Sequence, residues 1–176
     1  MATAPLLWLM LVFFVTSSVS VITGSTSLIT VPVMFQFGME PRTAIATNMF
    51  ALIFLSIGGS LPFLRGKTTG ADRRRLTRLV PLTLAGSLLG ALLLLRVPRH
   101  SVSLIVSGAM IAVAIFSVVY RKSGTPEFTA PPSAAVEFTG YALTFLLGIY
   151  GGFYSGGYVT ILTAVYVALF RQSFVE

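Results

Sequence analysis

Cysteine is absent from this chain of 176 residues, histidine and tryptophan occur once each, and acidic residues number only five. The missing cysteines remove disulfides, thiolate metal sites and thiol nucleophiles together. His100 sits in the Pro98-Arg99-His100 turn between two apolar runs, where it reads as a solvated loop residue, not as a base or a metal ligand. The acids, Glu40, Asp72, Glu127, Glu137 and Glu176, all fall in loops or at the ends of apolar runs. Proton-coupled carriers commonly bury a carboxylate, so a carboxylate relay has no support here, nor does a metal or cofactor site.

What is abundant is apolar: 55% hydrophobic residues against 10% charged, with a mean hydropathy of +0.90. Soluble domains carry about a quarter of their residues as charges, so this is an integral membrane protein. The apolar runs are Leu6 to Val21, Leu28 to Phe37, Ala44 to Phe63, Leu79 to Val97, Val102 to Tyr120, Tyr141 to Tyr150 and Tyr158 to Phe170. Several approach the roughly 20 residues that cross about 30 Å of hydrocarbon. The expected fold is all-α and polytopic, residues 1–176 forming one membrane domain. The first run resembles a signal peptide, but no Lys or Arg precedes Arg42, and an uncleaved helix is expected.

Arg65, Lys67, Arg73, Arg74, Arg75 and Arg78 crowd one short loop opposed only by Asp72, which places that loop in the cytoplasm and the chain in the inner (plasma) membrane as a multi-pass protein. Residues 121–137, with Pro126, Pro131 and Pro132, read as a second cytoplasmic loop. The net charge of +7 is a topology signal plus attraction to anionic lipid. No basic stripe with interleaved aromatics lies outside the apolar runs, which excludes a nucleic-acid partner.

Two polar interruptions stand inside runs that could otherwise span the bilayer: Gly24-Ser25-Thr26-Ser27 and Gly151-Gly152-Phe153-Tyr154-Ser155-Gly156-Gly157. An unpaired backbone amide in lipid costs several kcal/mol, so a broken helix at that depth normally lines a polar cavity or a solute. Thr16, Ser20, Thr23, Ser27 and Thr30 recur at steps of four and three, placing five hydroxyls on one helical face. Such a face serves a hydrated path or a close helix contact. Serine and threonine donors, with free amides at a half-helix N-terminus, can hold an anion without a formal countercharge. Asn48, following Thr47 near the start of another run, needs polar partners there and is a candidate for the same site or for an interhelical bond. Tyr150, Tyr154 and Tyr158 lie four apart and serve as cavity donors or as packing and interface anchors. Gly140, Thr144, Gly148, Gly152 and Gly156, like Gly86 and Gly90, have the small-xxx-small spacing of tight helix crossings; packing is expected of the first three and of Gly86 and Gly90, whereas Gly156 and Gly157, beside the break, are expected to expose backbone amides.

A shift of 130 positions sets Ser155 over Ser25 and Thr160 over Thr30. Four crossings intervene, so the second unit is expected to run opposite to the first, an inverted repeat with paired broken helices. The division expected is a first repeat at 1–97, a connecting helix at 101–120, the loop at 121–137 and the start of a second, incomplete repeat at 138–176. Counterparts of Thr43 to Val97 would begin near Ser173, so the reading expects a fragment holding part of the site.

Thr23-Gly24-Ser25-Thr26-Ser27, Val31-Pro32, Gly38, Pro41, Ala44 and Ala46-Thr47-Asn48 resemble the first signature of the TauE/SafE sulfite exporter family, and Tyr150 to Gly157 resembles its second. Here Ser25, Thr26 and Ser27 stand where that family prefers glycines, and Asn48 where it has serine. The resemblance implies transport, most simply export, of small anions such as sulfite, sulfonates or related carboxylates by alternating access. The expected solute ligands are Ser25, Thr26, Ser27, Thr47, Asn48, Ser155, Gly156 and Gly157. Expected partners are a small anion, lipid and, as an open alternative, a second copy of the chain. An enzyme is not expected: Ser155-Gly156 resembles the Gly-x-Ser-Gly of intramembrane serine proteases, but Phe153 takes the first glycine position and no histidine lies in an apolar run. The competing class is a noncatalytic membrane assembly subunit or an inactive remnant, for which no saturable flux is expected.

Overall fold

The computed structural model describes residues 3–23, 26–61, 70–120 and 134–170. These form seven helices: α1 (Thr3–Thr23), α2 (Ser27–Gln36), α3 (Pro41–Ser60), α4 (Gly70–Arg96), α5 (Arg99–Tyr120), α6 (Ala134–Phe153) and α7 (Tyr158–Phe170). Among the described residues three stretches are long and apolar enough to cross a membrane, Pro41–Ser60, Leu76–Arg96 and Arg99–Val119. At 1.5 Å per residue the 10 residues of α2 and 13 of α7 reach only about 15 and 20 Å, half-crossings that begin at the two interruptions.

Local sequence explains where the helices stop. Gly38 takes a left-handed φ of 77° just past α2, the conformation glycine adopts without penalty after a helix end. Glu40 then caps α3, its carboxylate accepting from the Thr43 amide at 3.1 Å and the Thr43 hydroxyl at 2.8 Å, with Pro41 in the first turn, where a missing N–H costs nothing. The Thr43 hydrogen bonds, with Arg99 3.8 Å away as a lesser cause, hold the Glu40 carboxyl below its ordinary value. Arg42 donates to the Val97 carbonyl, tying the start of α3 to the end of α4. Pro32 lies inside α2, where it removes the helical bond to the carbonyl of Leu28.

Three segments differ from the sequence reading. Arg73, Arg74, Arg75 and Arg78, expected in a loop, lie in α4, which starts at Gly70; arginine is a good helix former, and charge did not end the helix. Arg65 and Lys67 lie outside the described residues. His100 belongs to the first turn of α5, exposed, instead of to a turn. The loop expected to run to residue 137 gives way to α6 at Ala134, where Glu137 in the first turn suits the positive end of the helix dipole. Residues 121–133 lie outside the described residues.

Side-chain burial follows a membrane pattern. Leu104, Phe14 and Phe138 are each more than 70% exposed, while the core holds Val31, Met34, Ala44, Ile45, Val102, Val106 and Tyr154. Lipid tails are as apolar as leucine, so outward leucines cost nothing and the interior is chosen by fit. The tightest fit is between α4 and α6. A Cβ on Gly90 would collide with the Ile149 carbonyl, one on Gly152 with the Ser87 carbonyl, and one on Gly86 would stand 2.5 Å from the Phe145 carbonyl. Gly148 meets Gly86 across the same seam. Backbone contact of this kind replaces the hydrophobic effect as the cohesive force between helices in lipid.

Candidate functional site

The interruption between α1 and α2 and the one between α6 and α7 meet. Ser27, the first residue of α2, and Ser155, in the non-helical stretch after α6, share a hydrogen bond of 2.7 Å between their hydroxyls. Asn48, in the second turn of α3, donates its amide to both, at 2.8 Å to Ser27 and 3.3 Å to Ser155. Thr30, one turn along α2 from Ser27, donates at 2.6 Å to the Asn48 side-chain oxygen and at 3.2 Å to the Thr26 carbonyl. Ser27, Thr30 and Asn48 are buried, at 2%, 0% and 2% exposure.

A donor count shows what this arrangement leaves over. Asn48 has two amide hydrogens and both find a serine oxygen; its carbonyl oxygen accepts from Thr30. The two serines have two hydroxyl hydrogens between them, and their mutual bond uses one. Among the described residues no further acceptor takes the other hydroxyl hydrogen of the pair. Ser155 is half-buried and borders a cavity of about 590 Å³ between α3, α4 and α6, whose wall is otherwise apolar apart from Ser87. The cluster contains no ionisable side chain, so its field toward a solute is that of neutral donors. Among the described residues no group of three His, Cys, Asp or Glu side chains could hold a metal.

The second interruption owes its shape to two glycines. Gly157 has a φ of 75°, which side-chain-bearing residues rarely adopt, and a Cβ there would strike Val113 of α5. Gly156 is buried against the ring of Tyr154. These positions set the turn that delivers Ser155 to Ser27.

Of the residues singled out in the sequence, Ser27, Asn48 and Ser155 come together, and Gly156 and Gly157 form the turn beside them. Thr26 is buried next to them, its carbonyl accepting from the Ile29 and Thr30 amides, and its side chain makes no capping bond to α2. Ser25 lies outside the described residues, as does Gly24. Thr47 does not join the cluster: successive helix residues point about 100° apart, and with Asn48 facing inward Thr47 is exposed beside an apolar cavity of about 420 Å³ lined by Leu9, Phe13, Met34 and Phe50. In the hydroxyl stripe, Thr16 bonds back to the Val12 and Phe13 carbonyls of its own helix, the packing behaviour of a helical threonine. Thr30, on the hydroxyl stripe but outside the expected solute ligands, joins the same hydrogen-bonded cluster, as its spacing from Ser27 allows. Tyr154, a cavity donor or packing residue by its spacing, donates its hydroxyl at 3.2 Å to the Ser27 carbonyl; that the partner is main chain leaves no mark in a sequence.

Comparison with known proteins agrees with this architecture. The sequence model of the family described as "Sulfite exporter TauE/SafE" matches residues 9–176. A "Probable membrane transporter protein" of Haemophilus influenzae is 27% identical over 156 residues, 89% of this chain and 60% of that protein. The "Probable membrane transporter protein YfcA" of Escherichia coli K12 is 28% identical over 106 residues, 60% of this chain and 39% of that protein. The chain therefore spans well under two thirds of the length of these curated relatives. No solved structure matches.

Proposed function

Because the chain belongs to the sulfite exporter TauE/SafE family, we propose that it carries small anions such as sulfite, sulfonates or related carboxylates across the inner membrane, exporting them by alternating access. The observation that carries this reading is the junction of the two interruptions through Ser27, Ser155 and Asn48. A cluster of neutral hydroxyl and amide donors can bind an oxyanion and still release it, which a carrier must do. An arginine or lysine at the same place would hold the anion more tightly. A repeat across the expected units, 1–97 and 138–176, is supported by the order of elements: a 21-residue helix, a break and a 10-residue helix, then later a 20-residue helix, a break and a 13-residue helix. Rocking of one unit against the other would part Ser27 from Ser155 and open the cluster to a solute.

The test is uptake of ³⁵S-labelled sulfite into liposomes containing the purified protein. Saturable uptake, competed by unlabelled sulfite and weakened in Ser27→Ala and Ser155→Ala, supports the carrier. Uptake no greater than in empty liposomes sinks it and leaves a noncatalytic membrane subunit as the better account.

A further inference from the structure

Tyr150 lies in the last turn of α6 and Tyr154 directly follows the helix, its amide still donating to the Tyr150 carbonyl at 2.7 Å; their rings stand edge to face with centroids 6.4 Å apart. Neither phenol bonds to the serine and asparagine side chains. Each donates to a main-chain carbonyl of an interruption: Tyr150 to Gly156 at 2.5 Å, and Tyr154 to Ser27 at 3.2 Å. The second of these crosses from the end of α6 to the start of α2. Tyr154 is 1% exposed, and Gly156 has no room for a Cβ because the Tyr154 ring fills that space.

Breaking a helix leaves a carbonyl such as that of Gly156, outside both halves, without a helical partner, while the Ser27 carbonyl at the start of α2 keeps one lone pair beside its helical bond. A backbone carbonyl is an acceptor only, so beside a solute it repels an anion and attracts a cation. A site made from two broken helices without an ionised side chain has its charge preference set by which of these groups face the solute. We propose that Tyr150 and Tyr154 are positioning residues that set this preference: by engaging the Gly156 and Ser27 carbonyls they withdraw two acceptors from the site and leave hydroxyl and amide donors as the lining an anion meets. This assignment rests on the anion-carrier reading above, and gives the two phenols a role that ring packing alone would not.

Tyr150→Phe and Tyr154→Phe keep the rings and lose only the hydroxyls, so both variants should fold. With the full chain in liposomes and ³⁵S-labelled sulfite as probe, each variant should raise KM about 10-fold while the maximal rate stays within about 2-fold. Hydrogen exchange followed by mass spectrometry should speed up around residues 26–31 in Tyr154→Phe and around residues 156–161 in Tyr150→Phe. Unchanged exchange in both variants overturns the positioning role whatever the flux does. Faster exchange with a lowered maximal rate and an unaltered KM also overturns it, since that is the signature of a purely structural bond. If the unmodified protein takes up no sulfite while exchange still rises at the stated segments, the carbonyl contacts stand and the anion reading falls.

Discussion

Ser27 and Ser155, 128 positions apart in the chain, lie within 2.7 Å of each other through their hydroxyls, and Asn48 donates to both. One contact thereby joins the start of α2 to the turn that precedes α7, with α3 as the clamp. Any motion that separates the two half-helices must break it, so substitutions here should act on transport before they act on folding.

Asn48→Ala removes both amide donors and the acceptor of the Thr30 hydroxyl, leaving buried hydroxyls without partners. Loss of a hydrogen bond to a charged solute is worth about 1.5–3 kcal/mol, and the unmet buried groups cost stability on the order of 1–3 kcal/mol. Sulfite KM should therefore rise by at least about 10-fold, with a lower melting temperature in detergent. Asn48→Asp keeps the shape and adds a negative charge, and should abolish sulfite uptake altogether. Uptake by Asn48→Asp at the unmodified rate would remove Asn48 from the solute site.

Thr47→Ala should leave sulfite uptake within about 2-fold of the unmodified protein, because Thr47 is exposed beside an apolar cavity and not in the polar cluster. Side-by-side flux assays of Thr47→Ala and Asn48→Ala check this. A large loss in Thr47→Ala alone would mean that the wrong face of α3 has been assigned to the solute.

Gly90→Leu should prevent α4 and α6 from meeting, since even a Cβ at that position runs into the Ile149 carbonyl. Gly108→Leu on α5 has nothing within 4 Å of the added Cβ and should be tolerated. Size-exclusion profiles of the two purified variants separate the cases: an aggregated or missing peak for the first and a normal one for the second. Equal behaviour would contradict the close seam.

Glu40 should make the start of α3 sensitive to acid. Its folded-state pKa is lowered, chiefly by the Thr43 hydroxyl, so its contribution to stability is present above the ordinary value of 4.5 and is lost as pH falls through the depressed folded value. The melting temperature of the unmodified protein should drop below that range, and Glu40→Gln should remove this part of the pH dependence. Superimposable melting curves against pH for the two proteins would show that the cap contributes nothing.

Ser27, Asn48 and Ser155 were legible in the sequence because a polar group inside an apolar run needs a partner, and few residues in those runs are polar. That Thr47 stands apart from the cluster was not legible: it is adjacent to Asn48 in the chain, yet neighbours on a helix do not share a face. The packing role of Gly86, Gly90 and Gly148 was legible from spacing alone. Gly152 has the same spacing, but that it meets the Ser87 carbonyl was not legible, because spacing names the small residues of a crossing and not what they touch.

The sequence by itself determined that this is a polytopic helical membrane protein with two interrupted helices. Those facts rest on local quantities, the length of an apolar run and the glycines and hydroxyls within it, which need no partner to be read. Only the tertiary structure decided that the interruptions close on each other, that Asn48 is the residue between them, and that Tyr150 and Tyr154 bond to their carbonyls. Main-chain acceptors are present at every position of every sequence, and which of them a phenol reaches depends on the packing of whole helices.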